Sequence, residues 1–171
     1  MPYEAKATAN YLLDLAKAQG KQIDPMQMQK LVYFAHGWCL GLENVPLVTE
    51  RIEAWRYGPV IRELYSTFRD AGSGPITHPA YDVLFRGHEF VFHAPSIDNE
   101  EEGGQVDREF ARRLLDEIWK VYGGFSGIQL SNLTHEPGTP WYKTWHSSNK
   151  RNAVISDELM REYFKAQAER A

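Results

Sequence analysis

The sequence predicts an α+β domain that is predominantly α: a compact bundle of five to six helices with a small two- or three-stranded β element. The 171 residues correspond to about one domain, so we expect a single domain spanning residues 1–171. Apolar residues make up 43% of the chain, enough to build a core. Apolar spacings of three and four residues dominate, whereas alternation is confined to short stretches.

The first two helices have clear boundaries. The stretch Ala5–Gln19 carries an apolar stripe, and Gly20 is well placed to end it in a left-handed conformation. Asp24 and Pro25 are typical of the N-cap and first position of a helix, and Gln27 completes a capping-box spacing. The second helix is therefore expected to begin at Pro25 and to run to about residue 42.

The predicted β element consists of two short segments between residues 52 and 93. Alternation over Ile52–Tyr57 indicates a short strand, which Gly58 and Pro59 end. We expect Pro59 to lie in the first turn of the following helix. Glu89–His93 (EFVFH) is the best second strand, and the acidic stretch Asp98–Gly104 is predicted to be a solvated loop.

From Val106 onward the chain is predicted to be mainly helical. Val106–Tyr122 has helical spacing, and Ser126 with Gln129 fits a capping box for a short helix. The segment His135–Trp145 is interrupted by Pro and Gly and is predicted to be a loop. Ser156 caps a last helix.

Composition excludes several classes of function. The formal net charge is −4, which argues against sequence-independent binding to nucleic acid. No apolar run is long enough to span a membrane. The single cysteine, Cys39, cannot form an intramolecular disulfide, so a cytoplasmic location is expected.

The sequence offers little to a catalytic or metal-binding interpretation. His36 and Cys39 are three residues apart on a helix and could face one metal ion, but Cys39 also lies on the apolar stripe. His88 and His93 are five apart in a predicted strand, which is wrong for a zinc-protease helix. We therefore expect no enzyme, no cofactor and no metal, with a metal-dependent enzyme as the distant alternative.

Two aromatic segments are candidate partner-binding surfaces. In the segment Trp55–Pro59, backbone N–H groups at a helix N-terminus beside Arg56 could receive a carboxylate. In the segment His135–Trp145, the two tryptophans are typical interface anchors if they are exposed. The alternative is that the segments pack on each other and stabilise the fold. The candidate residues are Trp55, Arg56, Tyr57, His135, Trp141 and Trp145.

Several ordered motifs stand out along the chain. They are Lys30–Trp38 (KLVYFAHGW), Pro46-Leu47, Ile52–Val60 (IEAWRYGPV), Val121–Gly123 with Ser126 and Leu130, Leu133–His135 and Pro140-Trp141. In this order they resemble the Panacea domain family, which includes SocA-like antitoxins and phage-associated GepA-type proteins. The similarity extends over residues 11–145, whereas residues 76–104 match none of the family's blocks and are expected to be where partner choice varies.

The resemblance implies a role in a toxin–antitoxin system. A member of this family is expected to neutralise a cognate toxin, encoded by an adjacent gene, through direct protein–protein binding. The alternative is a proteolytic adaptor that delivers the toxin to a ClpXP-type protease. The family supplies no catalytic residues to transfer to this chain.

Overall fold

The computed structural model describes residues 2–99 and 106–171, and this part of the chain confirms the predicted α+β class, with helices dominating. It contains seven α-helices and five short strands, together with a 3₁₀ turn at Arg69–Ala71. The helices are α1 (Ala5–Ala18), α2 (Pro25–Glu43), α3 (Arg62–Phe68), α4 (Arg108–Tyr122), α5 (Gly127–Thr134), α6 (Pro140–Ser147) and α7 (Asp157–Arg170). The strands are β1 (Glu53–Trp55), β2 (Gly58–Val60), β3 (Asp82–Arg86), β4 (Glu89–His93) and β5 (Ala153–Val154).

The strands form two separate antiparallel sheets. One sheet has the order β2-β1-β5, and the other is the hairpin β3-β4. None of the described helices is both long and apolar enough to cross a membrane.

Helix α2 is the centre of the core. Every residue from 28 to 37 is buried, and the helix packs against α1, α3, α4, α5 and α7. Its start matches the prediction, because the Asp24 side chain accepts from the Gln27 N–H and the Gln27 side chain accepts from the Asp24 N–H. A helix buried on nearly all sides lies inside a bundle rather than on its surface.

Helix α7 approaches α2 closely because two glycines face it. A Cβ atom on Gly37 would lie 2.1 Å from the Phe164 ring, and one on Gly41 would lie 2.7 Å from the Phe164 backbone. The Phe164 ring fills the space beside Gly37 and makes edge contacts with Tyr33 and Trp38, while the α7 backbone passes close to Gly41. The two absent side chains therefore allow the last helix to close the core.

Three local predictions are corrected by the structure. Pro59 lies in strand β2 rather than in the first turn of a helix, because the chain turns back after Trp55 and pairs with β1. The segment 135–145, predicted as a loop, contains the start of α6, with Thr139 as N-cap and Pro140 at the first position. This helix raises the number above the five or six expected. Residues 100–104 of the predicted acidic loop lie outside the described residues.

Candidate partner-binding site

The candidate site is the tight turn between β1 and β2, which we call the WRYG turn (Trp55–Gly58). Trp55 pairs with Gly58, so Arg56 and Tyr57 are the two residues of the turn itself. Gly58 has φ +115°, a conformation that residues with side chains rarely adopt. The turn therefore depends on glycine at this position.

Side chains from α5 and α6 hold the backbone of the WRYG turn. The Trp141 indole N–H donates to the Trp55 carbonyl oxygen at 2.7 Å, and the Ser131 hydroxyl donates to the Tyr57 carbonyl oxygen at 2.6 Å. The His135 Nε2 atom lies 3.1 Å from the carbonyl oxygen of Arg56, the residue between them. Three consecutive carbonyl groups are thus bound by side chains from elsewhere, which fixes the path of the turn.

His135 and the two tryptophans form a packed row behind the turn. The centroid of the His135 ring lies 3.9 Å from that of Trp141, and the Trp145 ring also stacks with Trp141, at 5.4 Å between centroids and an interplanar angle of 15°. The Nδ1 atom of His135 faces the Ser131 carbonyl oxygen. Both ring nitrogens of His135 therefore face carbonyl oxygens, which holds the ring in one orientation against the turn.

Lys30 of α2 binds the backbone of Pro59, the middle residue of strand β2. Its side chain is 2% exposed, and its Nζ donates to the Pro59 carbonyl oxygen at 3.1 Å. No carboxylate of the described chain forms an ion pair with it. Burial lowers the pKa of Lys30 from 10.5 to about 7, because the charged ammonium has lost its hydration.

Gly58 fits closely over this lysine. A Cβ atom at Gly58 would lie 2.8 Å from the Lys30 Cε and 2.9 Å from the Thr134 Oγ1. The glycine thus serves both the backbone conformation and the close approach of β2 to α2 and α5. Ser131, His135, Trp141 and Lys30, which bind the carbonyl groups of residues 55–57 and 59, are called the turn clamp below.

The side chains of the turn point outward. Tyr57 is 62% exposed, and the Arg56 guanidinium lies over its ring at 5.5 Å. Trp55 is half-buried between Tyr65, at 5.0 Å between ring centroids, and the guanidinium of Arg62, at 5.6 Å. A rigid backbone therefore carries an adjacent Arg and Tyr, the residue types that anchor many protein interfaces.

The structure brings the six predicted site residues into one connected cluster. Arg56 and Tyr57 are exposed, whereas Trp55, His135 and Trp145 are half-buried. Trp141 is only 4% exposed, so the condition for its role as a direct anchor is not met, and it supports the turn instead. The two segments do pack on each other, as the alternative interpretation held, and that packing directs Arg56 and Tyr57 to the surface.

One prediction about this site is wrong, and two residues were missed. Residues 58–60 form a strand and α3 begins only at Arg62, so no helix N-terminus lies beside Arg56 to receive a carboxylate. Lys30 and Ser131 were not recognised as parts of the site. A lysine within a run of residues predicted to be buried was the available signal for Lys30.

The former metal candidates have other partners. The His36 Nε2 lies 2.9 Å from the Asp157 carboxylate, and its Nδ1 accepts a hydrogen bond from the Val48 N–H at 3.2 Å. Burial raises the pKa of the Cys39 thiol to about 12. Among the described residues, no group of three His, Cys, Asp or Glu side chains could hold a metal ion.

The fold and this site define a small helical domain that presents a clamped hairpin turn. Residues 28–142 match the family described as "Antitoxin SocA-like, Panacea domain", and the chain belongs to that family. It is 34% identical over 140 residues to Antitoxin SocA of Caulobacter vibrioides (strain NA1000 / CB15N), an alignment that covers 81% of this chain and 68% of the relative. No solved structure matches the chain significantly.

Proposed function

We propose that this protein is an antitoxin that neutralises a toxin protein by binding it directly, with the WRYG turn as part of the contact surface. The observation that carries the proposal is the turn clamp, which fixes the backbone of residues 55–59 while Arg56 and Tyr57 project outward. Membership of the SocA-like family supports the antitoxin role. On this proposal the chain acts as one domain in the cytoplasm.

The clamp gives the turn a physical advantage as a binding element. Binding normally costs about 0.5–1.5 kcal/mol for each flexible side chain that becomes ordered, and more when a loop must be ordered too. Here hydrogen bonds to Ser131 and Trp141 already order the backbone in the free protein. The partner then has to immobilise only the Arg56 and Tyr57 side chains.

The chemistry of the turn indicates what the toxin presents there. Arg56 forms no ion pair within the described chain, so its guanidinium is available to a carboxylate of the partner. The Tyr57 ring offers apolar surface next to that charge. We infer a toxin surface that combines an acidic side chain with an apolar recess.

We also propose that the domain acts by binding rather than by catalysis. The only thiol, Cys39, is buried with a raised pKa, which is the opposite of an activated nucleophile. His36 uses both ring nitrogens in structural contacts. Metal analysis of the purified protein tests this proposal, and a stoichiometric bound metal would contradict it.

A growth experiment tests the proposed function. The neighbouring open reading frame is expressed alone and together with wild-type protein, Arg56→Ala/Tyr57→Ala, or the control Arg113→Ala, an exposed arginine on α4. We expect the neighbour alone to arrest growth, and both wild type and the control to restore it. Failure of the double variant to restore growth, at equal protein level, supports the role of the turn.

The same cells separate sequestration from proteolytic delivery. If the protein sequesters the toxin, the half-life of the toxin stays constant or lengthens when the two are expressed together. A shortened half-life that depends on a ClpXP-type protease would support the adaptor alternative. A harmless neighbour, or toxicity that the wild type does not relieve, would contradict the proposed function for that gene pair.

A further inference from the structure

The β3–β4 hairpin has one face made entirely of exposed apolar side chains. Its register pairs Val83 with Phe92 and Phe85 with Phe90, which places these four side chains on the same side of the hairpin. Their exposed fractions are between 57% and 71%. Four adjacent apolar side chains with this exposure mark an interaction surface rather than ordinary scattered exposure.

The base of the hairpin is fixed to helix α1. The Asn10 side chain accepts from the Ala80 N–H at 2.7 Å and donates to the carbonyl oxygens of Ala80 and Pro95 at 3.1 and 2.8 Å. Lys6 binds the Tyr81 carbonyl oxygen and the Asp82 carboxylate. The hairpin therefore projects from a defined base, and the contacts of Lys6 cover the start of β3.

Strand β4 is one of the two edges of this sheet. It pairs only with β3 in the described chain, and all five of its residues are exposed. The two-residue turn closes at the Arg86–Glu89 pair, and hydrogen-bonded pairs alternate along an antiparallel ladder. The backbone N–H and C=O groups of Phe90 and Phe92 therefore point to the open edge.

The sequence of β4 is complementary to itself in the antiparallel direction. When two copies of Glu89–His93 are aligned about Val91, Phe90 of each lies opposite Phe92 of the other, and these are the residues with outward backbone groups. The same register places Glu89 opposite His93, where an imidazole N–H can donate to the carboxylate. Backbone pairing, apolar contact and side-chain hydrogen bonding thus agree on one register.

We propose that the hairpin binds a second copy of this chain, with β4 pairing antiparallel to its counterpart about Val91. The resulting four-stranded sheet joins the two apolar faces side by side and satisfies the backbone groups of Phe90 and Phe92. The seam covers only part of each face, so the contact falls among the small interfaces, below about 1,200 Å², and is reversible. This association is separate from the toxin contact at the WRYG turn.

Sedimentation analysis of the purified protein tests the association without any toxin. From about 5 µM to about 500 µM, a range suited to a small interface, the mass should rise from 19.7 kDa toward twice that value. A mass that stays at 19.7 kDa over the whole range would overturn the proposal.

A charge exchange tests the register. His93→Glu places two carboxylates opposite each other at the seam, and Glu89→Lys replaces the acceptor of the His93 N–H by an ammonium group. Each change occurs twice because of the two-fold symmetry and should weaken dimerisation about tenfold. Mixed together, the two variants bring Lys against Glu and the remaining His93 against Glu89, so their heterodimer should recover wild-type affinity. Singles that dimerise like wild type, or a mixture that fails to recover, would overturn the proposed pairing.

Arg86→Glu is the matched control. It also reverses a charge and places like charges opposite each other within one hairpin, here residues 86 and 89, but it lies on β3, away from the seam. We expect this variant to dimerise like wild type. If Arg86→Glu weakened dimerisation as much as the seam variants do, the effect would come from damage within the hairpin, and the proposal would be contradicted.

Discussion

The indole N–H of Trp141 donates a hydrogen bond to the backbone carbonyl oxygen of Trp55, 86 residues earlier in the chain. This bond joins the two aromatic segments of the sequence and makes the first helical residues of α6 a support for the WRYG turn. This hydrogen bond must therefore be present for Arg56 and Tyr57 to be held in a fixed geometry. The proposed binding surface thus depends on residues that a partner does not touch.

Replacement of Trp141 by Phe tests this support. The substitution keeps an aromatic ring but removes the N–H, so the Trp55 carbonyl group loses its donor in a site that is largely closed to water. We expect the free energy of unfolding, measured by urea denaturation, to fall by about 1–3 kcal/mol. Trp145→Phe, which keeps the stacked ring of a half-buried neighbour, should cost less than about 1 kcal/mol. Equal losses in the two variants would contradict the role of the bond.

Replacement of Gly58 by Ala tests the close fit of the turn on α2. The new Cβ would meet Lys30 and Thr134 at less than 3 Å, at a φ of +115° that alanine disfavours. We expect a loss of about 1–3 kcal/mol in the free energy of unfolding. Gly124→Ala, where nothing lies within 4 Å and φ is not positive, should change stability by less than about 1 kcal/mol. A Gly58→Ala variant as stable as the Gly124→Ala variant would show that the packing here is loose.

Stability should rise with pH above neutrality because of Lys30. Its pKa is about 7 in the folded protein and near 10.5 in the unfolded chain, so between these values the unfolded state binds the extra proton. The free energy of unfolding therefore increases with pH, by at most ~1.4 kcal/mol per pH unit. Above about pH 8.5 the raised pKa of Cys39 opposes this trend, because the thiol then ionises more readily in the unfolded chain.

The measurement is urea denaturation between pH 7 and about 8.5, above the folded-state pKa of Lys30 and below the ionisation of Cys39 in the unfolded chain. Lys30→Met removes the titrating group while keeping an unbranched side chain, and it should lose the increase of stability with pH that the wild type shows there. The comparison uses the slope with pH and not the absolute stability, because the variant also loses the hydrogen bond to Pro59. A variant that keeps the wild-type slope would assign the dependence to other groups.

The sequence predicts the helical framework well because its signals are local. The capping boxes at Asp24 and Ser126 form as expected, and strand β4 has the predicted bounds Glu89–His93. Each of these features depends on residues within a few positions of one another. Each of these features can therefore be predicted from the spacing of side chains.

The features that the sequence does not predict depend on contacts between distant segments. Gly58-Pro59 was expected to end a strand and lead into a helix, but pairing with β1 makes it the start of β2. The closeness of α7 to α2 follows from Gly37, Gly41 and Phe164, whose relation only the tertiary structure shows. The burial of Trp141 likewise depends on the β1–β2 hairpin, which lies far away in the chain.

The sequence indicates the two segments of the candidate site but not the role of each side chain within them. Aromatic residues beside Pro and Gly indicated both Trp55–Tyr57 and Trp141, and they did not show which of them face solvent. The division into outward Arg56 and Tyr57 and inward Trp141 follows from hydrogen bonds to backbone carbonyl groups. Such bonds are made by side chains that carry no recognisable spacing in the sequence.

The most direct test of the account is the affinity of the purified protein for the product of the neighbouring gene, measured by titration calorimetry. We expect a stoichiometric complex for wild type and for the control Arg113→Ala, and a dissociation constant raised at least about tenfold for Arg56→Ala/Tyr57→Ala with its fold and unfolding free energy unchanged. Unchanged affinity of the folded double variant would contradict the proposal that the WRYG turn contacts the toxin.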